Sequence, residues 1–494
     1  MAISFNNIPS NLRTPLFYAE VDSSQALPVS VGAGRALLMG VKLAAGTATA
    51  DEPVLVSSPA QAKTLFGNGS MLARMVAAFR VNDDATELWA LPVAEPAAGV
   101  AATGELEITG PATAAGTINM YVSGQRVQVA VADEDTAAEV GDAIEAAITA
   151  ATDLPITAAN DAGTVTLTAK HKGAAGNKID IRLNYRGELG GEATPAGITV
   201  AITAMANGTS SPALATALAA LGDEAFDWII HPWTDSTSLD AIDALLNDAA
   251  GRWAPTEQLY GHAFMAHTDT VSNLQTFGAA RNGQHHTCMG YGAAPTPPWE
   301  VAAMYGAQAA RHLAIDPARP LQTLPLIGML PAATSARWTK LERNTLLHAG
   351  VATCYFDGGQ MRIERAVTTY QENAYGQADA SYLDTETLAT LQYVLRFLAA
   401  RITTKFPRHK LANDGTRFGS GQAIVTPNVI RAELIAGYAA LEDQGITENA
   451  AAFRNALIVE RDATNPNRIN VLYPPDLVNG LRIFAVLAQF RLQF

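Results

Sequence analysis

Cysteine is nearly absent from this chain: Cys288 and Cys354 are the only two in 494 residues. Two thiols make no disulfide framework, so a reducing compartment is the default, with one bridge between them left open. Charge is also scarce. Asp, Glu, Lys and Arg make up 16% of the chain, against about 25% in an ordinary soluble domain. A chain with so few charges is expected to hide much of its surface against other chains. The net charge of −14 argues against a general nucleic-acid binder. There is no run of about 18 apolar residues, so no membrane-spanning helix is expected. The opening residues Met1 to Pro9 have neither the basic start nor the apolar core of a signal peptide. The expectation is a protein made and folded in cytosol.

Catalytic signatures are missing too. Gly32, Gly34 and Gly40 resemble part of a phosphate-binding loop, but Leu37 stands where the third glycine of a dinucleotide fingerprint belongs. No Gly-Lys-Ser/Thr follows, so no nucleotide cofactor is expected. His285, His286 and Cys288 lie close together, yet no second ligand cluster completes a zinc site. A strand entering the core explains them better. No Gly-x-Ser-x-Gly elbow exists, and nothing pairs Ser, His and Asp into a triad. An enzyme is therefore not expected.

What is present is a patterned end. From Gln489 the alternation is strict: Gln489, Arg491 and Gln493 on one side, Phe490, Leu492 and Phe494 on the other. Period two means a strand with one wet and one buried face. Chain ends fray unless tied down, so this end is expected to be held in a sheet. The sheet is either its own or a neighbouring copy's. Residues 1–24 read as an arm. Pro9 and Pro15 interrupt helix, and Phe17, Ala19 and Val21 share one side of a short strand.

Between these ends the chain reads as α/β. Residues 25–96 and 207–358 alternate strands and helices, which predicts one discontinuous, mostly parallel three-layered domain. Predicted strands include Val29–Val31, Ala36–Gly40, Glu87–Val93, Asp227–Pro232, Tyr260–Met265, His286–Gly290 and Thr353–Phe356. Helices are predicted over 70–79, 212–221, 239–248, 270–279 and 298–313. Residues 97–206 change texture: Ala, Thr and Gly dominate and tryptophan is absent. Two alternating runs flank Ser123-Gly124, a hairpin signal, and Val140, Ile144 and Ile148 line one helix face. A small inserted α+β module is expected there.

Residues 359–480 predict a C-terminal α+β domain. Its main helix, 385–402, would bury Leu391, Val394, Leu395, Leu398 and Ile402. A second helix is predicted over 426–442, and strands over 457–460 and 468–472. Residues 481–494 form the closing arm. Residues 360–494 hold 14 Lys and Arg against 13 Asp and Glu, so the acidity sits upstream. A basic cluster of Arg396, Arg401, Lys405, Arg408 and Lys410 reads either as a solvated helix end or as a contact for an acidic partner.

The C-terminal region carries a resemblance. Thr368-Thr369-Tyr370-Gln371-Glu372-Asn373, Phe406-Pro407-Arg408-His409-Lys410-Leu411, Asp414-Gly415-Thr416-Arg417, Ile458-Val459-Glu460-Arg461 and Tyr473-Pro474-Pro475-Asp476-Leu477-Val478-Asn479 resemble the tail sheath protein of Mu-like contractile-tailed bacteriophages. Ser4-Phe5-Asn6-Asn7-Ile8-Pro9 and Lys170-His171-Lys172-Gly173 fit the same family. The resemblance implies hexameric rings stacked into a helical tube around an inner tail tube. It implies a subtilisin-like core without protease activity, an outer inserted module, and arms adding strands to neighbouring subunits. Carried over, the arm strands are Phe17, Ala19, Val21, Phe484, Val486, Phe490, Leu492 and Phe494. Arg401, Lys405, Arg408 and Lys410 become candidates for the tube contact. Implied partners are other copies, the tail tube protein, and baseplate and tail terminator proteins, with no nucleic acid and no membrane insertion. The implied place is the virion tail, assembled in the host bacterial cytoplasm. The alternatives are an α/β hydrolase-like enzyme or another polymeric virion component such as a tail tube protein.

Overall fold

The computed structural model describes residues 34–492. The strands expected at Phe17–Val21 and Val29–Val31, and the side chain of Phe494, lie outside the described residues. Residues 34–391 and 477–492 fall in one compact unit and residues 392–476 in another.

The first unit begins with β1 (Arg35–Val41), β2 (Val54–Leu55), α1 (Pro59–Phe66), α2 (Met71–Asn82) and β3 (Glu87–Val93). Ser58 and Ser70 accept hydrogen bonds from Gln61 N and Ala73 N, capping α1 and α2. A module follows: β4 (Ala101–Thr109), β5 (Gly116–Val122), β6 (Gln125–Val131), α3 (Ala137–Ala150), β7 (Ile156–Asp161), β8 (Thr164–Lys172), β9 (Ile181–Leu183) and β10 (Thr199–Ala206). It forms two sheets, β10-β4-β8-β7 and β6-β5-β9. Helix α3 opens with a full capping box between Thr136 and Glu139 and buries Val140, Ile144 and Ile148, as its spacing predicts.

The chain then continues through α4 (Ala215–Ala219), β11 (Trp228–Ile230), α5 (Ser236–Leu246), β12 (His262–Thr268), α6 (Val271–Ala279), β13 (His286–Tyr291), α7 (Pro298–Ile315), α8 (Lys340–His348), β14 (Ala352–Asp357) and β15 (Gln360–Arg365). These strands and the first three make one eight-stranded sheet, ordered β15-β14-β13-β12-β11-β1-β3-β2. Its six inner strands are parallel and both edge strands are antiparallel. Alternate residues of β1 serve opposite layers. Ala36 and Leu38 pack with Met71, Leu72, Trp299 and Tyr305, while Leu37 and Met39 pack with Leu218, Leu221, Ile242 and Leu246. A sheet apolar on both faces needs helices on both, and this sheet has them.

Several expectations shift. The helix expected over 212–221 narrows to α4. Strand β15, beyond the expected boundary at 358, completes the central sheet through a turn at Gly358-Gly359, both at positive φ. Cys288 and Cys354 are free and buried. Burial pushes both thiols up, Cys354 to about 12. His286 and Cys288 lie in β13, which enters the core, and His285 in the turn before it; among the described residues no group of His, Cys, Asp or Glu is placed to hold a metal. No helix of the described residues is long and apolar enough to cross a membrane.

Buried histidines give the first unit a pH dependence. His171 is 1% exposed and stands edge-on to Trp299, and among the described residues neither ring nitrogen has a hydrogen-bond partner. Burial holds its pKa down to about 4; half-buried His267 is also held to about 4, chiefly by desolvation, and burial pushes His231 and His262 well below the ordinary histidine value. Unfolded rings take up protons as pH falls through about 6.5, while folded ones stay neutral. Stability is therefore constant above that pH and declines between 6.5 and 4. His171 alone should remove about 3 kcal/mol by pH 4. Thermal unfolding against pH checks this, and His171→Leu should flatten part of the slope.

The second unit holds most of α9 (Thr385–Lys405), which begins in the first. It also holds β16 (Lys410–Leu411), β17 (Ile424–Val425), α10 (Pro427–Asp443), α11 (Ala450–Ala456), β18 (Ile458–Arg461) and β19 (Ile469–Leu472). Its core is Val425, Ile430, Leu434, Tyr438, Phe453 and Leu457, with Leu398, Ile402 and Tyr473 packed on it. Tyr438 and Phe453 stack at 3.8 Å between centroids. Leu395 was expected in this core but is 41% exposed, and Phe397 is buried instead.

Candidate functional site: the C-terminal arm and the β18–β19 ribbon

Strands β18 and β19 pair antiparallel, Ile458 opposite Leu472 through Arg461 opposite Ile469, and among the described residues they form a sheet of two strands. Asp462 pins their turn. Its carboxylate accepts from the backbone N–H groups of Thr464 and Asn465 and from the side chains of Thr464 and Asn470. Those bonds hold its pKa well below the usual carboxylate range. A two-stranded ribbon leaves one backbone edge of each strand unpaired, and such edges are templates for another strand. Here Ile458, Val471 and Leu472 are 51%, 42% and 58% exposed, so the ribbon presents apolar surface as well as edges unpaired among the described residues.

The closing segment is a second exposed apolar stretch. Residues 481–492 join no strand among the described residues. The expectation of an edge strand within the chain's own sheet is not met. Phe484, Val486, Phe490 and Leu492 are 83%, 68%, 81% and 89% exposed, and Ile483 and Leu487 are also out. Scattered exposed apolar residues are ordinary, but a contiguous run of this size marks an interaction surface.

The basic cluster is divided by the structure. Arg401 donates to Glu433 of α10, and Lys405 lies 2.8 Å from the same carboxylate. Arg401 is packed on that helix, its Cδ 3.1 Å from where a Cβ on Gly437 would stand. Both charges are therefore engaged inside the unit. Lys410 donates to Gln422 at 3.1 Å. Arg408 is exposed and makes no hydrogen bond or ion pair among the described residues.

Sequence reasoning missed Arg482. It sits at the foot of the arm, only 13% exposed in its side chain, with Nη2 donating at 2.7 Å to Glu386. The signal was a lone arginine inside the apolar run Leu481 to Leu487.

Three family models match successive stretches of the chain. The family model of the phage tail sheath protein beta-sandwich domain matches residues 97–210, that of the central domain residues 207–369, and that of the phage tail sheath C-terminal domain residues 377–491. The Mu-like prophage FluMu tail sheath protein of Haemophilus influenzae is 46% identical over 494 residues, covering 99% of this chain and 100% of that protein. Among solved structures, a sheath tail protein from Desulfitobacterium hafniense aligns over 94% of this chain and 97% of its own, at 14% identity and TM-score 0.49. One from Listeria innocua aligns over 91% and 93%, at 13% identity and TM-score 0.44. With a relative this similar along its whole length, and sheath models matching each of its large segments, the chain belongs to the phage tail sheath protein family.

Proposed function

We propose that the chain is the structural subunit of a contractile tail sheath, polymerising as stacked hexameric rings around a tail tube and held together by exchanged strands. On this reading residues 483–492 leave one subunit and add a strand to the β18–β19 ribbon of another. The supporting observation is the pairing of two features: an apolar segment that joins no sheet, and a ribbon whose outer edges are unpaired, both among the described residues. Phe17, Ala19 and Val21 would supply a second added strand. The domains are proposed as first divided, with 97–206 an outer module on a subtilisin-like core that has lost protease chemistry.

Contraction then needs no nucleotide. Rings repack from a trapped extended lattice into a shorter, wider one, and rigid domains turn over bistable interfaces. Main-chain hydrogen bonds of the shared sheets keep neighbours joined, since each buried group left unpaired costs about 1–3 kcal/mol. The partners are the tail tube, baseplate and tail terminator proteins, and the place of action is the virion tail after assembly in the host cytoplasm. The end-to-end relationship to a sheath protein sets aside the hydrolase and tail-tube readings.

Electron microscopy of the purified full-length chain tests this: tubes are expected, and a chain that stays monomeric at high concentration would contradict it. For the tube contact, Arg408 and Lys410 are the residues to probe, since reversing Arg401 or Lys405 would disturb Glu433 within the unit. Arg408→Glu with Lys410→Glu should cut sheath assembly on tubes about tenfold or more, yet leave free polymers unchanged. Equal loss of both would point to an intersubunit role instead.

A further inference from the structure

We infer that Arg482 is the fixed root of the exchanged arm, so that the segment able to leave the subunit begins at Ile483; this rests on the strand-exchange reading above. The boundary is sharp. Up to Arg482 the chain is held at three successive places. Gly480 lies so close to Pro320 that an added Cβ would come within 2.7 Å of Pro320 Cγ. The carbonyl of Leu481 accepts from Gln322 Nε2 at 3.1 Å. Arg482 Nη2 donates to Glu386 at 2.7 Å and lies 3.5 Å from Asp384. From Ile483, 78% exposed, the large apolar side chains are out in solvent.

The two carboxylates are themselves held. Glu386 accepts the N–H of Leu321 at 2.7 Å, and Asp384 takes a two-pronged ion pair from Arg365 at 2.8 and 2.9 Å. Both acids stand at the start of α9, where carboxylates also suit the helix dipole. Together they line a mostly polar hollow of about 380 Å³. The arrangement is a clasp whose fixed half is braced by the body and whose moving half is one arginine. Its Nη1 is buried without a hydrogen-bond partner among the described residues, so the clasp is not there merely to satisfy the guanidinium.

A donated strand binds more tightly when its tether is short and its exit is fixed, because slack lowers its effective concentration at the acceptor. Freeing Arg482 would move the fixed point back to Leu481, whose carbonyl Gln322 holds, and add such slack at the exit. Arg482 is thus a positioning residue for subunit exchange and touches no partner itself. A charge-assisted hydrogen bond lost from this foot should raise the critical concentration for polymer roughly tenfold.

The test uses the full chain and reads polymer by sedimentation and electron microscopy, alongside thermal unfolding of the unassembled subunit. Arg482→Ala should fold and raise the critical concentration about tenfold, and Arg482→Lys should recover most of it. Should Arg482→Ala fail to fold, Glu386→Gln, which keeps an acceptor for Leu321, is read by the same criterion. Wild-type critical concentration in the folded variant, with polymer still abolished by truncation after Arg482, would overturn the root and leave strand exchange standing. Polymer unaffected by that truncation would overturn strand exchange and the root together.

Discussion

Truncating the chain after Arg482 is expected to leave a folded subunit that no longer forms tubes. The removed segment contributes nothing to the described core: Phe484, Val486, Leu487, Phe490 and Leu492 are all at least two-thirds exposed. Thermal unfolding of the dilute protein should therefore be nearly unchanged. Association is different. Burying one Phe or Leu side chain is worth about 1.5–3 kcal/mol, and the segment carries several on alternating positions. Even after the cost of ordering it, losing the strand should raise the critical concentration about a hundredfold or more. Sedimentation across a concentration series, with electron microscopy of the pellets, measures this. Tubes of normal length at the wild-type concentration would rule out the exchanged strand.

The second large effect lies within the first unit. Arg74 of α2 and Glu300 of α7 form an ion pair at 2.5 Å, with side chains only 11% and 12% exposed. Burial pushes the Glu300 carboxyl up, and Arg74 opposes that shift. The same guanidinium donates to the carbonyls of Ser123 and Asp153 and to Gln125 of the module. Replacing Arg74 with Met strands Glu300 and three module acceptors at once. Breaking a buried pair from one side costs about 3–5 kcal/mol. Denaturant unfolding of the unassembled chain should show that loss, and adding Glu300→Gln should recover a large part. A loss below about 1 kcal/mol would mean that water reaches the pair freely.

How much of this could be read beforehand varied with the length of the signal. The inner strands of the central sheet are buried on both sides, so Ala36–Gly40 and Leu88–Val93 appear as continuous apolar runs. The helix face of Val140, Ile144 and Ile148 was equally plain. Strand β4 was missed because it opens on Ala, Thr and Gly, although Glu105, Leu106, Glu107 and Ile108 alternate. Helix α8 was missed although Thr339 and Glu342 spell its capping box. Gly358-Gly359 reads equally as a linker or as a hairpin turn; the structure makes it the turn that brings in β15.

The functional surfaces were legible in kind but not in detail. Period two in the closing segment reads as a strand, but residues 481–492 join none among the described residues, and the partner strand is a proposal. Arg401 and Lys405 looked free because Glu433, which holds them, sits on another helix 32 and 28 residues away. Arg482 was passed over because one cation in an apolar run gives no spacing from which to infer Asp384 and Glu386.

The most direct measurement is a structure of the assembled tube by electron cryo-microscopy, at a resolution that traces residues 477–492. The expected result is Arg482 still on Glu386 of its own subunit, with Phe484 to Leu492 continuing as a strand hydrogen-bonded to β18 or β19 of another. A tube in which that segment folds back on its own subunit, with β18–β19 edges touched by no other chain, would contradict it.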